Sequence, residues 1–229
     1  LHGEPLHRVD AGAQLDVVLA DGVVEGRRIF ANTIKYVLMG TSSNFGNMFS
    51  AAGASLFLSF LPMLPSQILL NNLLYDVSQL AIPTDNVDEE QLRRPSHWDI
   101  AFIRRFMLFF GPLSSVFDFL TFGVMIWVFH SGPAQFRSGW FVESLATQTL
   151  VIFAIRTHRV PFFTSQPSLP LTLSALGIVT IGALIPATPV ARSLGFQPLP
   201  FGYFAALAAM VVGYLVLIEG GKRFFYRAA

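Results

Sequence analysis

Residues 22–88 read GVVEGRRIFANTIKYVLMGTSSNFGNMFSAAGASLFLSFLPMLPSQILLNNLLYDVSQLAIPTDNVD. Two apolar helices are legible in this stretch, joined by the tight LPMLP turn at Leu61–Pro65. Amides and one carboxylate interrupt both: Asn44 and Asn47 in the first, Asn71, Asn72 and Asp76 in the second. Polar oxygens at membrane depth are costly and mark an ion or substrate path by default. The plainer account of a lone Asn is hydrogen-bonded glue between helices. A carboxylate at that depth is expensive without a partner, so Asp76 taken with Asn72 and Asn47 favours the path.

The composition agrees with a membrane setting. Of 229 residues, 53% are apolar and 13% charged, and the mean hydropathy is +0.56. Soluble domains carry about a quarter charged residues. The net charge of +1 says nothing about nucleic acid, and no basic cluster is dense enough to suggest a nucleic-acid partner, so none is expected. The lack of Cys excludes disulfides, thiolate metal sites and cysteine nucleophiles. No phosphate-binding glycine loop, G-x-S-x-G elbow or zinc motif occurs, so nothing in the chain itself hydrolyses a nucleotide.

Six apolar segments are expected, at about 42–61, 67–83, 106–130, 138–155, 169–187 and 201–219, each close to the ~20 residues that cross ~30 Å of hydrocarbon. The second and fourth are short and rather polar, which requires shielding by neighbouring helices. Residues 22–41 form an amphipathic stalk in which Ile29, Ile34 and Val37 alternate with Arg27, Arg28 and Lys35. Residues 1–21 are expected to be an irregular cytosolic segment. The fold class is therefore all-α: a polytopic, six-helix transmembrane bundle (42–229) with a cytosolic helical stalk.

Charge in the loops sets the orientation. Arg8, Arg27, Arg28, Lys35, Arg93, Arg94, Arg104, Arg105, Arg156, Arg159, Lys222, Arg223 and Arg227 fall on one side, and only Arg137 and Arg192 on the other. The positive-inside rule places the first side, with both termini, in the cytosol. Trp98, Trp127 and Trp140 fall near the expected interfaces, as aromatic belts do. The abundant Phe, 23 residues, reads as lipid-facing packing.

The helical repeat puts Asn44 and Asn47 on one face, and Asn72 and Asp76 on another. Counting from the LPMLP turn, Asp76 lies roughly 16 Å deep and Asn47 roughly 21 Å. The two polar faces are thus expected to meet near mid-membrane, with Pro62, Pro65 and Gly46 loosening the backbone beside them. Such a site is all oxygen with one formal charge, which suits a hard cation, magnesium or calcium. Asp118, Glu143 and Gln148 are expected to be structural, Asp118 by accepting from Ser114 or a neighbour. Glu219 is expected to pair with Lys222 or Arg223. His2, His7, His97, His130 and His158 show no ligand spacing.

Five stretches together carry a resemblance. EGRRIFANTIKYVLMGTSSNFGNMF (25–49), LPMLPSQILLNNLLYDVSQLAIPTDNVDEEQLRRPSHWD (61–99), RRFMLFFGPLSSVFDFLTF (104–122), SGWFVESLATQTLVIFAIRTHRVPF (138–162) and KRFFYR (222–227) resemble the bacterial magnesium-transporting P-type ATPases. The resemblance runs from about residue 15 to the end. It implies the last six membrane helices of an inner-membrane pump that is phosphorylated by ATP on an aspartate and moves magnesium into the cytosol. Against the calcium pumps of the wider superfamily, Asn44 and Asn47 fall where the fifth helix supplies ligands, and Asn72 and Asp76 where the sixth does. Asn47 stands where calcium pumps carry glutamate, which argues against calcium.

The resemblance thus implies Asn44, Asn47, Asn72 and Asp76 as metal ligands, with Mg2+ as the transported ion. ATP would act only through domains outside this chain, since D-K-T-G and G-D-G-x-N-D are missing. The implied partners are the lipid bilayer, the ion and those N-terminal pump domains. The chain begins with Leu and is expected to be inactive alone, as part of a larger pump. The alternatives are a non-catalytic truncated remnant and a P-type pump for another divalent cation. An ion-coupled carrier ranks last, because no internal repeat is visible.

Overall fold

The computed structural model describes residues 6–93, 97–157 and 165–228, with side chains from residue 15 to residue 227 within those stretches. Residues 1–5, Arg94, His158 and Arg159, and the side chains of His7 and Arg8, lie outside the described residues. Helices joined by short non-helical connections make up the described residues, which contain no strand element. The helices are α1 (Leu6–Ala54), α2 (Pro65–Gln79), α3 (Glu89–Arg93), α4 (Ile100–Gly123), α5 (Pro133–Leu150), α6 (Ile152–Ile155), α7 (Leu169–Leu184) and α8 (Phe201–Ala228). A π-helical turn, Val124–Val128, extends α4. The protein is an all-α polytopic membrane domain.

Local chemistry explains where the helices start. Asp99 caps α4 by accepting from the Phe102 amide at 2.9 Å, and Ser168 caps α7 by accepting from Leu171. Pro65 and Pro133 occupy first-turn positions, where a missing N–H costs nothing. Two expectations differ at α1. Residues from Leu6 onward are already helical rather than irregular, and the helix stops at Ala54 instead of running to the LPMLP turn.

Among the described residues, four helical stretches are long and apolar enough to cross a membrane: Ile100–Val128, Pro133–Ile155, Leu169–Ala187 and Phe201–Arg227. α2 has 15 residues, about 22 Å of helix, short of the ~30 Å core, and α1 is free of charged side chains only beyond Lys35. The apolar window of the second stretch, formed by α5 and α6, is 94% buried, against 28% for the windows of α7 and α8. The most polar long span is therefore the centre of the bundle, and its neighbours carry the lipid-facing surface. Phe follows the same logic in reverse. Phe106, Phe110, Phe122, Phe136, Phe141 and Phe196 are fully buried, so aromatic packing builds the interior and not chiefly the lipid face. Trp98 and Trp127 are exposed as an aromatic belt requires, but Trp140 is buried.

α1 and α4 pack closely where two glycines meet. A Cβ on Gly46 would lie 2.9 Å from the Gly111 carbonyl oxygen, and the Ser115 hydroxyl donates to the Gly46 carbonyl at 2.9 Å. Gly46 thus serves close approach inside an unbroken helix, not backbone loosening.

At the end of the bundle opposite the LPMLP turn, a buried ion cluster joins four parts of the chain. Asp85 Oδ2 accepts from Lys35 Nζ at 2.9 Å and from Arg156 Nε at 2.8 Å. Lys35 also donates to Asn32 and to the Asn86 carbonyl, while Arg156 donates to Ser165 and the Gln166 carbonyl. The Ser168 amide donates to Asp85 Oδ1. Burial pulls the Lys35 ammonium below its ordinary range, against the opposing pull of Asp85. The desolvation of such a group offsets much of its attraction, so the cluster acts mainly by fixing geometry.

Asp85→Ala strands two buried cations and is expected to cost about 3–5 kcal/mol, read as a fall in the thermal unfolding midpoint in detergent. Lys35→Met should cost less than half of that, because Arg156 still neutralises Asp85; equal costs would mean that the contacts are independent. Gly46→Val should cost about 1–3 kcal/mol by forcing α1 and α4 apart, checked in the same melts.

Candidate functional site

Asn44 and Asn47 reach one cavity from α1, and Asn71 and Asn72 reach it from α2. Ser144 and Trp140 of α5 close its inner wall. The cavity holds about 440 Å³ and opens to the surface of the bundle beside the exposed Asn44 and Met48. Asn44 is exposed, Asn47 and Asn72 are half-buried, and Asn71 is buried.

Hydrogen bonds hold these amides in place. Ser144 Oγ donates to Asn47 Oδ1 at 3.2 Å, and Gln148 Nε2 donates to Ser144 Oγ in turn. The Asn71 Nδ2 donates to the Phe141 carbonyl at 3.2 Å, tying α2 to α5. Tyr75 donates to Ser43 at 3.4 Å and fixes the register of α1 against α2.

Asp76 is elsewhere. It is exposed and lines a second cavity of about 460 Å³ with Asn32, Tyr36 and Gln79, toward the ion-cluster end of α1 and α2. The end of α1 at Ala54 explains the shift. Asn47 then lies seven residues, roughly 10 Å, from its helix end, and Asn72 lies seven residues from Pro65. These two are level, whereas Asp76 is a further turn along. The structure brings Asn44, Asn47 and Asn72 together and leaves Asp76 on the same side of α2 but outside their cavity.

The wall residues Ser144 and Trp140 were not legible as site residues. Ser144 falls in a polar run with Glu143 and Gln148, which is the signal that was available. Asp118 is structural as expected but with other donors: Ser50 at 2.5 Å and Trp140 Nε1 at 2.7 Å. Ser114 instead donates to the Gly111 carbonyl in its own helix. Glu143 is fully buried beside Asp118, and among the described residues neither of its carboxyl oxygens accepts a hydrogen bond of good geometry. Glu219 pairs with Lys222 at 2.8 Å. Among the described residues no group of three or more His, Cys, Asp or Glu is placed to hold a metal ion. Any cation at the asparagine cavity would therefore rest on amide, hydroxyl and water oxygens, a donor set suited to a hard, partly hydrated ion.

Known proteins match this chain over most of its length. Residues 60–224 match the sequence profile of the family described as "Cation transporting ATPase, C-terminus". The chain is 52% identical over 215 residues to the "Magnesium-transporting ATPase, P-type 1" of Salmonella typhimurium and to that of Escherichia coli K12, which covers 92% of this chain and 24% of each relative. A second Salmonella typhimurium protein of that name is 46% identical over the same length. The chain thus spans about a quarter of the length of the curated relatives it matches.

Ser50→Ala and Trp140→Phe should each cost roughly 1–3 kcal/mol, the scale of one lost bond to a buried carboxyl. Ser114→Ala, which removes only a bond within its own helix, should stay within about 0.5 kcal/mol. Unfolding midpoints of the three variants in detergent check this order.

Proposed function

This chain belongs to the cation-transporting ATPase C-terminus family, and from that premise we propose that it is the ion-carrying membrane part of a P-type ATPase that imports magnesium. The observation that carries the reading is the cavity between α1, α2 and α5, into which four asparagines project from two helices. Asn47 and Asn72 are the central ligands, Asn44 a supporting one at the open side. Asp76, one turn along α2, supplies the formal charge and draws the ion along the α1–α2 seam. The identity to the magnesium-transporting relatives supports magnesium as the cargo.

In this reading the chain does not hydrolyse ATP. Phosphorylation belongs to parts of a longer protein, and α1 carries their movement to the site. α1 is one continuous helix from Leu6 to Ala54, which suits it to act as a rod. The ion cluster ties that rod to the loop after α2 through Lys35 and Asp85. The protein lies in the inner membrane with the ion-cluster end in the cytosol. Arg27, Lys35, Arg156 and Lys222 gather at that end, whereas Arg137 contacts the Leu61 carbonyl at the other.

In an intact pump carrying this region, Asp76→Asn should abolish magnesium uptake while membrane insertion stays normal. Asn47→Leu should raise the magnesium concentration for half-maximal uptake by about tenfold or more. Uptake is measured in proteoliposomes with a magnesium-sensitive dye inside. Normal uptake by both variants would sink the assignment, and faster movement of another divalent cation by the unmodified protein would reassign the cargo.

A further inference from the structure

We infer that Asn71 supplies a further oxygen ligand to the cation in the α1–α2–α5 cavity, an inference that rests on reading that cavity as the cation site. Nothing in the periodicity of α2 points to it. Asn72 and Asp76 share one helix face, and Asn71 is rotated about 100° from Asn72 toward α5. The structure places it at the cavity wall all the same, next to Asn72 and across from Asn47.

Its amide orientation is settled by its neighbour. The Phe141 carbonyl can only accept, so the Asn71 group facing it at 3.2 Å must be the NH2. Oδ1 therefore points the other way, and among the described residues no donor reaches it. Asn71 is 2% exposed, so bulk water does not satisfy this oxygen either. Buried carbonyl oxygens are nearly always paired, and one left over beside the asparagine cavity asks for an explanation. The other buried-side amide, Asn47, differs in this respect, because its Oδ1 already accepts from Ser144.

A hard cation resolves the imbalance. Amide oxygen is a good ligand for such an ion, and coordination gives Oδ1 the positive partner that it lacks. The bond from Nδ2 to Phe141 then has a second role. It holds the ligand amide in one orientation, as outer hydrogen bonds hold metal ligands elsewhere. A purely structural Asn71 would need only its NH2 group.

The test uses the intact pump with this membrane region, reconstituted in proteoliposomes, with Mg2+ alone as the probe. Asn71→Leu keeps the branched shape and removes both the oxygen and the NH2 group. Asn71→Ser keeps a hydroxyl donor but draws it back from the cavity. Both should raise the half-saturating Mg2+ concentration by about tenfold or more, the scale of losing a metal-site partner. Both should also shrink the rise in unfolding midpoint that Mg2+ produces, since that rise depends on affinity. A half-saturating concentration within twofold of the unmodified value, together with a lower midpoint in the absence of Mg2+, would overturn the inference and leave Asn71 as a tether between α2 and α5. Asn47→Leu separates the two levels of the reading. If it shifts the Mg2+ dependence and neither Asn71 variant does, only Asn71 is wrong; if it shifts nothing, the cavity is not the cation site.

Discussion

Two buried cations from distant parts of the chain, Lys35 and Arg156, converge on the single carboxylate of Asp85, and that convergence sets the frame for everything above it. Charges held at low dielectric tolerate little displacement, because each lost contact leaves an uncompensated ion. Lys35 therefore fixes the height and rotation of α1 relative to the loop that ends α2. From that anchor, Asn44 and Asn47 stand about 14 and 18 Å further along the helix. Asp85 fixes the end of α2 in the same way, so the two asparagine-bearing helices share one reference point. The Tyr75–Ser43 contact repeats the registration halfway up.

The second constraint is the polarity of α5. Glu143, Ser144, Thr147, Gln148 and Thr149 cannot face lipid, and the bundle accommodates them by making α5 its axis. Asp118 of α4 then meets Trp140 of α5 and Ser50 of α1, a polar joint between three helices in the interior. From the same face α5 offers Ser144 to Asn47, and beside it the Phe141 carbonyl to Asn71. The asparagine cavity lies along that face. Its inner wall is thus built by the helix least able to leave the interior, which gives the candidate site a rigid back and an open front.

Much of this was legible in the residues. The membrane class, the structural character of Asp118 and the Glu219–Lys222 pair follow from local pattern and spacing. The burial of the aromatic residues did not follow. Phe reads the same toward lipid or toward a packed interior, because both surroundings are apolar, and Trp140 reads as an interface residue until a buried acceptor is found for its N–H. Gly46 reads as a weak point in a helix, and its use in a close crossing depends on Gly111, 65 positions away in the chain.

By itself the sequence determined an all-helical membrane domain and a set of amide and carboxylate side chains in its first two apolar segments. Which donors face each other was decided by tertiary structure. Depth counted from a turn assumes that both helices run straight into it, and α1 leaves the helix at Ala54, seven residues before Leu61. That unwinding lowers Asn47 by roughly 10 Å, opposite Asn71 and Asn72 and past the level of Asp76. Helical periodicity records which residues share a face of one helix. Only the packing of α1, α2 and α5 against one another selects the level at which those faces meet.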